Sequence, residues 1–377
     1  MKTDIFYRNI FNQINEWLFQ GKVLILYGAR QVGKTTLSKQ LIAGTKDSLY
    51  INCELFSAKE LLESGNLERI RSFMGDARLV VLDEAQKIRR IGSLLKLMHD
   101  TYPQIQLIAT GFSSFELSGE LSEPLTGRNV KFILYPVALS ELQPTSNAFQ
   151  LDERMQEFLR FGMYPEILQR NENQKITLLD QLAGDYLFKD VLSFENLKRP
   201  ELLLNLLKAL ALQLGNEVSY RELSLLLKVT IETVQRYIEL LEKSFVLFRL
   251  PAFSRNLRNE LTRNHKFYFY DTGVRNSLLN NYLPLDARTD TGALWENFCI
   301  VERLKFNQYK KRNASLYFWR TYQQQEIDLI EECNGKMEAF EFKWNPAAKH
   351  KVPSEFIQTY HTEVNVVHRE NFRTFLF

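Results

Sequence analysis

Cysteine is scarce: Cys53, Cys299 and Cys333 are spread over 377 residues with no paired spacing. That excludes a zinc ribbon and argues against a disulfide framework, so all three read as packing residues. Long hydrophobic runs are missing too. No window approaches 18 uninterrupted apolar residues, and the first residues, Met1 to Arg8, lack the apolar core of a signal peptide, so the expected setting is cytoplasmic, without a membrane. Nor is there an excess of charge of one sign: 48 Lys and Arg against 45 Asp and Glu leave a net +3. Contact with DNA would therefore have to come from local patches. Repeats at solenoid spacing and low-complexity runs are absent. What is present is ordinary globular material, 45% hydrophobic and 25% charged, enough to build real cores.

The length suggests two or three domains, and the pattern changes twice. Residues 22–134 alternate β-branched runs with helical periods, and Lys22–Tyr27, Ser48–Asn52, Leu79–Leu82, Gln106–Thr110 and Asn129–Leu134 read as strands of a buried parallel sheet. From about Leu151 to Leu250 the Leu- and Glu-rich periods are helical, with strand-like runs at Phe245–Leu250 and Lys266–Tyr270. The last hundred residues read as a helix at Thr291–Asn307, strands at Ser315–Trp319, Glu326–Glu331 and Met337–Lys343, a helix at Ser354–Tyr360 and a strand at Val364–Val367. The expected fold is multidomain α/β, divided at 1–145, 146–270 and 271–377.

Strand Val23–Tyr27 runs into Gly28-Ala29-Arg30-Gln31-Val32-Gly33-Lys34-Thr35-Thr36, the full G-x-x-x-x-G-K-[ST] pattern between a strand and a helix. Its glycines permit backbone angles that turn successive N–H groups toward a phosphate at the helix N-terminus. Lys34 is placed to reach the β- and γ-phosphates of ATP, and the Thr35 hydroxyl to bind Mg2+. A second motif, Leu79-Val80-Val81-Leu82-Asp83-Glu84, is a buried strand ending in two carboxylates. Asp83 would complete the magnesium site, and Glu84 would polarise water for attack on the γ-phosphate. Thr110, ending the next strand, is placed to sense the γ-phosphate. Arg128 lies just before the fifth strand, where ring-forming AAA ATPases carry a finger for a neighbouring subunit's nucleotide; an exposed surface arginine is the other reading.

With these residues the chain resembles bacterial and archaeal AAA-type ATP-binding proteins that join a P-loop ATPase to a C-terminal domain similar to the PD-(D/E)xK nucleases. The carriers are Gly28 to Thr36, Asp83-Glu84-Ala85-Gln86-Lys87, Thr110-Gly111-Phe112-Ser113-Ser114 and Phe161-Gly162-Met163-Tyr164-Pro165-Glu166. For the last of these the resemblance implies a helical lid over the adenine, shaped by Gly162 and Pro165.

In the middle module Ser219-Tyr220-Arg221-Glu222 is a capping box that starts a helix. A short turn, Lys228-Val229-Thr230, leads to a second helix with the apolar stripe Ile231, Val234, Ile238 and Leu241. With the two strands that follow, this predicts a winged helix-turn-helix. The second helix exposes Glu232, Thr233, Gln235, Arg236, Glu239, Glu242 and Lys243, more acid than base, which favours packing or protein contact over major-groove binding. The cluster Arg249, Arg255, Arg258, Arg263 and Lys266 is the local argument for DNA, with a solvated basic loop as its alternative.

In the C-terminal part Phe340, Phe342 and Trp344 alternate with Glu341 and Lys343, so an acid and a lysine share one surface. Asp328 lies on the preceding strand and Glu296 on the opening helix. This is the PD-(D/E)xK order, with Ile327 where the pattern has proline. Asp328, Glu341 and Glu296 are the expected metal ligands, and Lys343 the group that stabilises developing charge. A relic site used for binding, or a surface ion-pair cluster, stays open beside it. None of the five histidines has metal or triad spacing. The expectation is a Mg2+-dependent ATPase gating action on DNA, possible homo-oligomers included. The alternative is a nucleotide-dependent switch or scaffold whose C-terminal domain cuts nothing and contacts a protein or DNA partner.

Overall fold

The computed structural model describes residues 5–111, 125–143, 146–186, 199–254, 265–321, 323–348 and 352–376. They form two compact units, Met1–Val137 with Lys243–Phe245, and Ala138–Glu242 with Val246–Phe377.

The first unit is built on five parallel strands, β1 (Val23–Tyr27), β2 (Ser48–Asn52), β3 (Leu79–Asp83), β4 (Gln106–Thr110) and β5 (Asn129–Ile133), in the order β2-β3-β4-β1-β5. Every residue of β1, β3 and β4 is buried, as continuous apolar strands covered on both faces must be, whereas the edge strands β2 and β5 are only partly buried. Val80 and Leu82 have no exposed surface, each stabilising the unit by roughly 1.5–3 kcal/mol. Register pairs Leu26 with Thr110 and Leu82 with Ala109, so the loop after β1, Asp83 and Thr110 meet at one edge of the sheet.

The second unit opens with helices, among them Met155–Phe161, Glu172–Gln181 and Pro200–Leu212. An antiparallel sheet follows, β6 (Glu217–Val218), β7 (Leu247–Leu250) and β8 (His265–Phe269) in the order β6-β8-β7, with helices Tyr220–Leu227 and Ile231–Lys243 between β6 and β7. Ser219 caps the first of these helices as its sequence predicts, accepting from the Glu222 N–H. Helix Thr291–Tyr309 then precedes a four-stranded sheet, β9 (Ala314–Arg320), β10 (Glu326–Cys333), β11 (Lys336–Phe342) and β12 (Val364–Val367), in the order β12-β11-β10-β9. Only the β11–β12 pair is parallel.

The sequence pattern divides this second unit near residue 270, yet the contacts run across that point. Past β7 the chain pairs with β9, through Phe253 N–H to Phe318 O at 2.6 Å and Phe318 N–H to Pro251 O at 3.0 Å. The Asn297 side chain bonds both the N–H and the C=O of Phe269, at 2.8 and 2.9 Å. Buried backbone groups must be paired, and here the pairing is between the two presumed modules.

Candidate functional site

The loop after β1 takes its shape from residues with unusual backbone angles. Gly28 has φ +150° and lies so close to Leu134 O that a Cβ would overlap it; Gln31 has φ +60° and Gly33 φ +100°. Helix Lys34–Ala43 starts directly after Gly33, directing its free N–H groups into the loop. The Lys34 ammonium is buried and donates to Gly28 O at 2.9 Å and Ala29 O at 2.8 Å. Ala29 and Val32 are buried, Arg30 is half-buried, and Gln31 and Thr36 are exposed. The buried Arg8 braces the loop from outside the motif, donating to Val32 O at 2.7 Å and Tyr135 O at 2.6 Å. A lone basic residue near the chain start carries no sequence signal for that role.

Asp83 ends β3 almost wholly buried. Its Oδ2 accepts from Thr35 Oγ1 at 2.7 Å and from Tyr50 Oη at 2.5 Å, and its Oδ1 accepts from Thr110 Oγ1. A carboxylate beside a threonine hydroxyl at a phosphate loop is a hard-oxygen donor set that suits Mg2+, which takes few protein ligands and completes its shell with phosphate and water. Tyr50 belongs to no sequence motif of the site; burial and Asp83 raise its phenol pKa well above the usual value. Glu84 adopts φ +54°, donates its N–H to Thr110 Oγ1 at 3.3 Å and accepts from Gln86 Nε2. Burial beside Asp83 and Glu84 pushes the Cys53 thiol up to about 12, which leaves it an unreactive packing group at neutral pH.

Arg128 stands at the opposite edge of the sheet. Its C=O accepts from Val23 N–H, at the start of β1, and its exposed guanidinium pairs with Asp100 at 2.9 Å. A five-residue strand spans roughly 17 Å, so Arg128 is far from its own phosphate loop. Of the Thr110–Ser114 segment, residues 112–114 lie outside the described residues.

Gly162 and Pro165 belong to the second unit. Gly162 ends helix Met155–Phe161 at φ +75°, with its α-carbon against the Asp271 carboxylate. Asp271 accepts from Met163 N–H at 2.6 Å and Val274 N–H at 3.1 Å; Thr272 Oγ1 donates to Phe158 O at 3.0 Å, and Asn276 Nδ2 to Leu159 O at 3.0 Å. The run Asp271-Thr272-Gly273 thus receives the end of that helix, a role absent from the sequence reading, in which Gly162 shapes a lid. Half-buried Pro165 follows the joint.

Two members of the basic cluster near β8 are among the described residues. Arg249 is tied to Glu242 through Nε at 2.8 Å, Lys266 has no exposed surface, and Arg255, Arg258 and Arg263 lie outside the described residues.

In the C-terminal sheet Asp328 lies on β10 and Glu341 on β11, and burial together with the neighbouring Asp328 raises the Glu341 pKa above the usual carboxylate range. Asp328 Oδ2 also accepts from Phe342 N–H at 2.8 Å, and Lys343 Nζ donates to Glu341 at 2.8 Å. Two hard carboxylates pressed together in a partly dry site are a donor pair that suits one divalent ion. Glu296 departs from the expected ligand set. Its Oε1 accepts from Lys266 Nζ at 3.2 Å and Tyr268 Oη at 2.5 Å. Among the described residues no three His, Cys, Asp or Glu side chains are grouped to hold a metal. The buried Lys266 ammonium already pairs with Glu296.

The parallel sheet, the glycine loop and the Asp83 edge match a P-loop ATPase fold. Residues 20–143 match the family described as an AAA domain, and residues 152–284 and 291–374 match two domains of unknown function (DUF8612 and DUF4143). The chain is 27% identical over 340 residues to an uncharacterized protein of Mycobacterium tuberculosis, covering 89% of this chain and 73% of that one. It is 26% identical over 341 residues to an uncharacterized protein of Methanocaldococcus jannaschii, covering 83% and 73%. A Walker-type ATPase of Pyrococcus abyssi shares the fold with a TM-score of 0.51 at 18% identity, over 74% of this chain and 97% of that chain. Among the described residues no helix is long and apolar enough to cross a membrane.

Proposed function

We propose that the chain binds ATP with Mg2+ and hydrolyses it to ADP and phosphate at the loop Gly28–Thr36. The observation that carries this reading is the meeting of Thr35, Asp83 and Thr110 at the sheet edge beside the buried Lys34. Lys34 moves from the loop carbonyls to the β- and γ-phosphates, Thr35 and Asp83 hold the magnesium ion, and Thr110 reads the γ-phosphate. Glu84, with Gln86 orienting its carboxylate, polarises the attacking water. Glu84→Gln is expected to keep ATP bound while slowing turnover roughly 100-fold or more, checked by equilibrium binding and phosphate release. Unchanged turnover removes Glu84 from that role.

For the second unit we propose a winged helix-turn-helix around β6–β8 and a nuclease-like domain around β9–β12, whose Asp328, Glu341 and Lys343 would act with a divalent ion on a phosphodiester. The Asp328–Glu341 pair and the neighbouring Lys343 support it. A second reading, a nucleotide-dependent switch that contacts a partner without cutting, is favoured by the capture of Arg249 and the burial of Lys266, which weaken the basic surface. Cleavage of labelled DNA by wild type, lost in Asp328→Ala and tested with and without ATP, supports the nuclease. No cleavage in Mg2+ or Mn2+ supports the switch.

A further inference from the structure

Lys266 comes from β8, outside the residues 271–377 expected to form the C-terminal domain, yet its side chain's ion pairs are with that domain's acids. It has no exposed surface, hydrogen-bonds Glu296 Oε1 at 3.2 Å, pairs with Glu326 and lies 5.4 Å from the centre of the Phe318 ring. Tyr268, two residues along the same strand, donates to the same Glu296 oxygen at 2.5 Å. Arg320 Nη1 approaches Glu326 Oε2 at 3.4 Å. A buried ammonium persists only with such partners, so Glu296 and Glu326 are committed to it.

The charge balance of the cluster follows. With every group ionised, as a bound divalent ion requires of its site, the four carboxylates Glu296, Glu326, Asp328 and Glu341 face three cations, Lys266, Arg320 and Lys343, leaving one negative charge before the ion is counted. One divalent ion changes this to a single positive charge; two would leave three positive charges in a poorly solvated space, where repulsion is weakly screened.

We propose that Lys266 is a positioning residue of the C-terminal site, holding Glu296 and Glu326 so that Asp328 and Glu341 alone take a divalent cation, one ion and not two. This rests on reading the C-terminal cluster as a metal site, and the test separates the two ideas. Full-length protein free of nucleotide is titrated with Mn2+ and bound ion counted by electron paramagnetic resonance, the difference between wild type and Asp328→Asn reporting this site apart from the phosphate loop. One equivalent is expected in wild type, kept with affinity within threefold in Glu296→Gln and kept in Lys266→Arg. Lys266→Met, which frees two carboxylates, is expected to bind a second equivalent and to lose thermal stability in metal-free buffer that Mn2+ restores. Two equivalents in wild type, or loss of Mn2+ in Glu296→Gln, overturns the role of Lys266 while leaving a metal site. No difference between wild type and Asp328→Asn overturns the metal reading and this inference together. Should Lys266→Met not fold, the Glu296→Gln titration decides alone.

Discussion

Alanine at position 162 would set a methyl group into the Asp271 carboxylate at a backbone φ of +75° that side chains rarely adopt. Gly162→Ala is therefore expected to cost about 3 kcal/mol or more, measured by urea unfolding. Asp290 sets a pH dependence. Burial by itself would raise its pKa, but hydrogen bonds from Arg288, at 2.8 and 2.9 Å, and from Arg275 outweigh that and hold it down at about 2. A depressed folded value means the stabilisation is complete above the unfolded value near 4 and is lost as pH falls through about 2. The stability advantage of wild type over Asp290→Asn, about 2 kcal/mol from this source, is expected to shrink between roughly pH 4 and pH 2 in denaturation series. The sequence singles out Gly162 but not its Asp271 neighbour, and it does not mark Asp290 at all, because each acquires its role from a partner brought up by the fold.

Helix Thr291–Tyr309 carries charges on a side the fold buries. Arg303 makes a two-pronged contact with Glu331, at 2.7 and 2.9 Å, with both residues buried. Arg303→Met takes two hydrogen bonds from Glu331, which keeps Arg312 at 2.7 Å and Asn307 at 2.8 Å, and is expected to destabilise by about 1.5–3 kcal/mol in urea melts, with the Arg303→Met, Glu331→Leu double variant measuring the coupling between the two. Strands were legible where the run was continuous and apolar, as in β1, β3 and β4, because burial on both faces leaves one composition possible. The alternation in β11 was legible as well, with Phe340 and Phe342 both packed on Phe375. The partner of an exposed-looking charge was not legible: periodicity names the face, not what arrives on it.

Assembly is where Arg128 is decided. It stands at the sheet edge opposite its own loop, half exposed and paired with Asp100, so a finger role would require a second copy of the chain. If it is a finger, Arg128→Ala lowers turnover in assembled protein without weakening ATP binding, and sedimentation in ATP shows a higher mass than without it. A strict monomer with full activity leaves Arg128 a surface residue.

Nine adjacent residues, Gly28 to Thr36, together with the strand ending Asp83-Glu84, were enough to specify the phosphate loop, because its geometry is local: glycines where φ is positive, a lysine and a threonine at the start of a helix. Strand pattern likewise determined the parallel sheet. The tertiary structure alone decided that Glu296 answers to Lys266, that Gly162 makes room for Asp271 and that the expected middle and C-terminal modules pack as one unit. Those pairings join residues about thirty to more than a hundred positions apart, and they depend on sheet order and on which buried charges must be neutralised, quantities that exist only once the chain has packed.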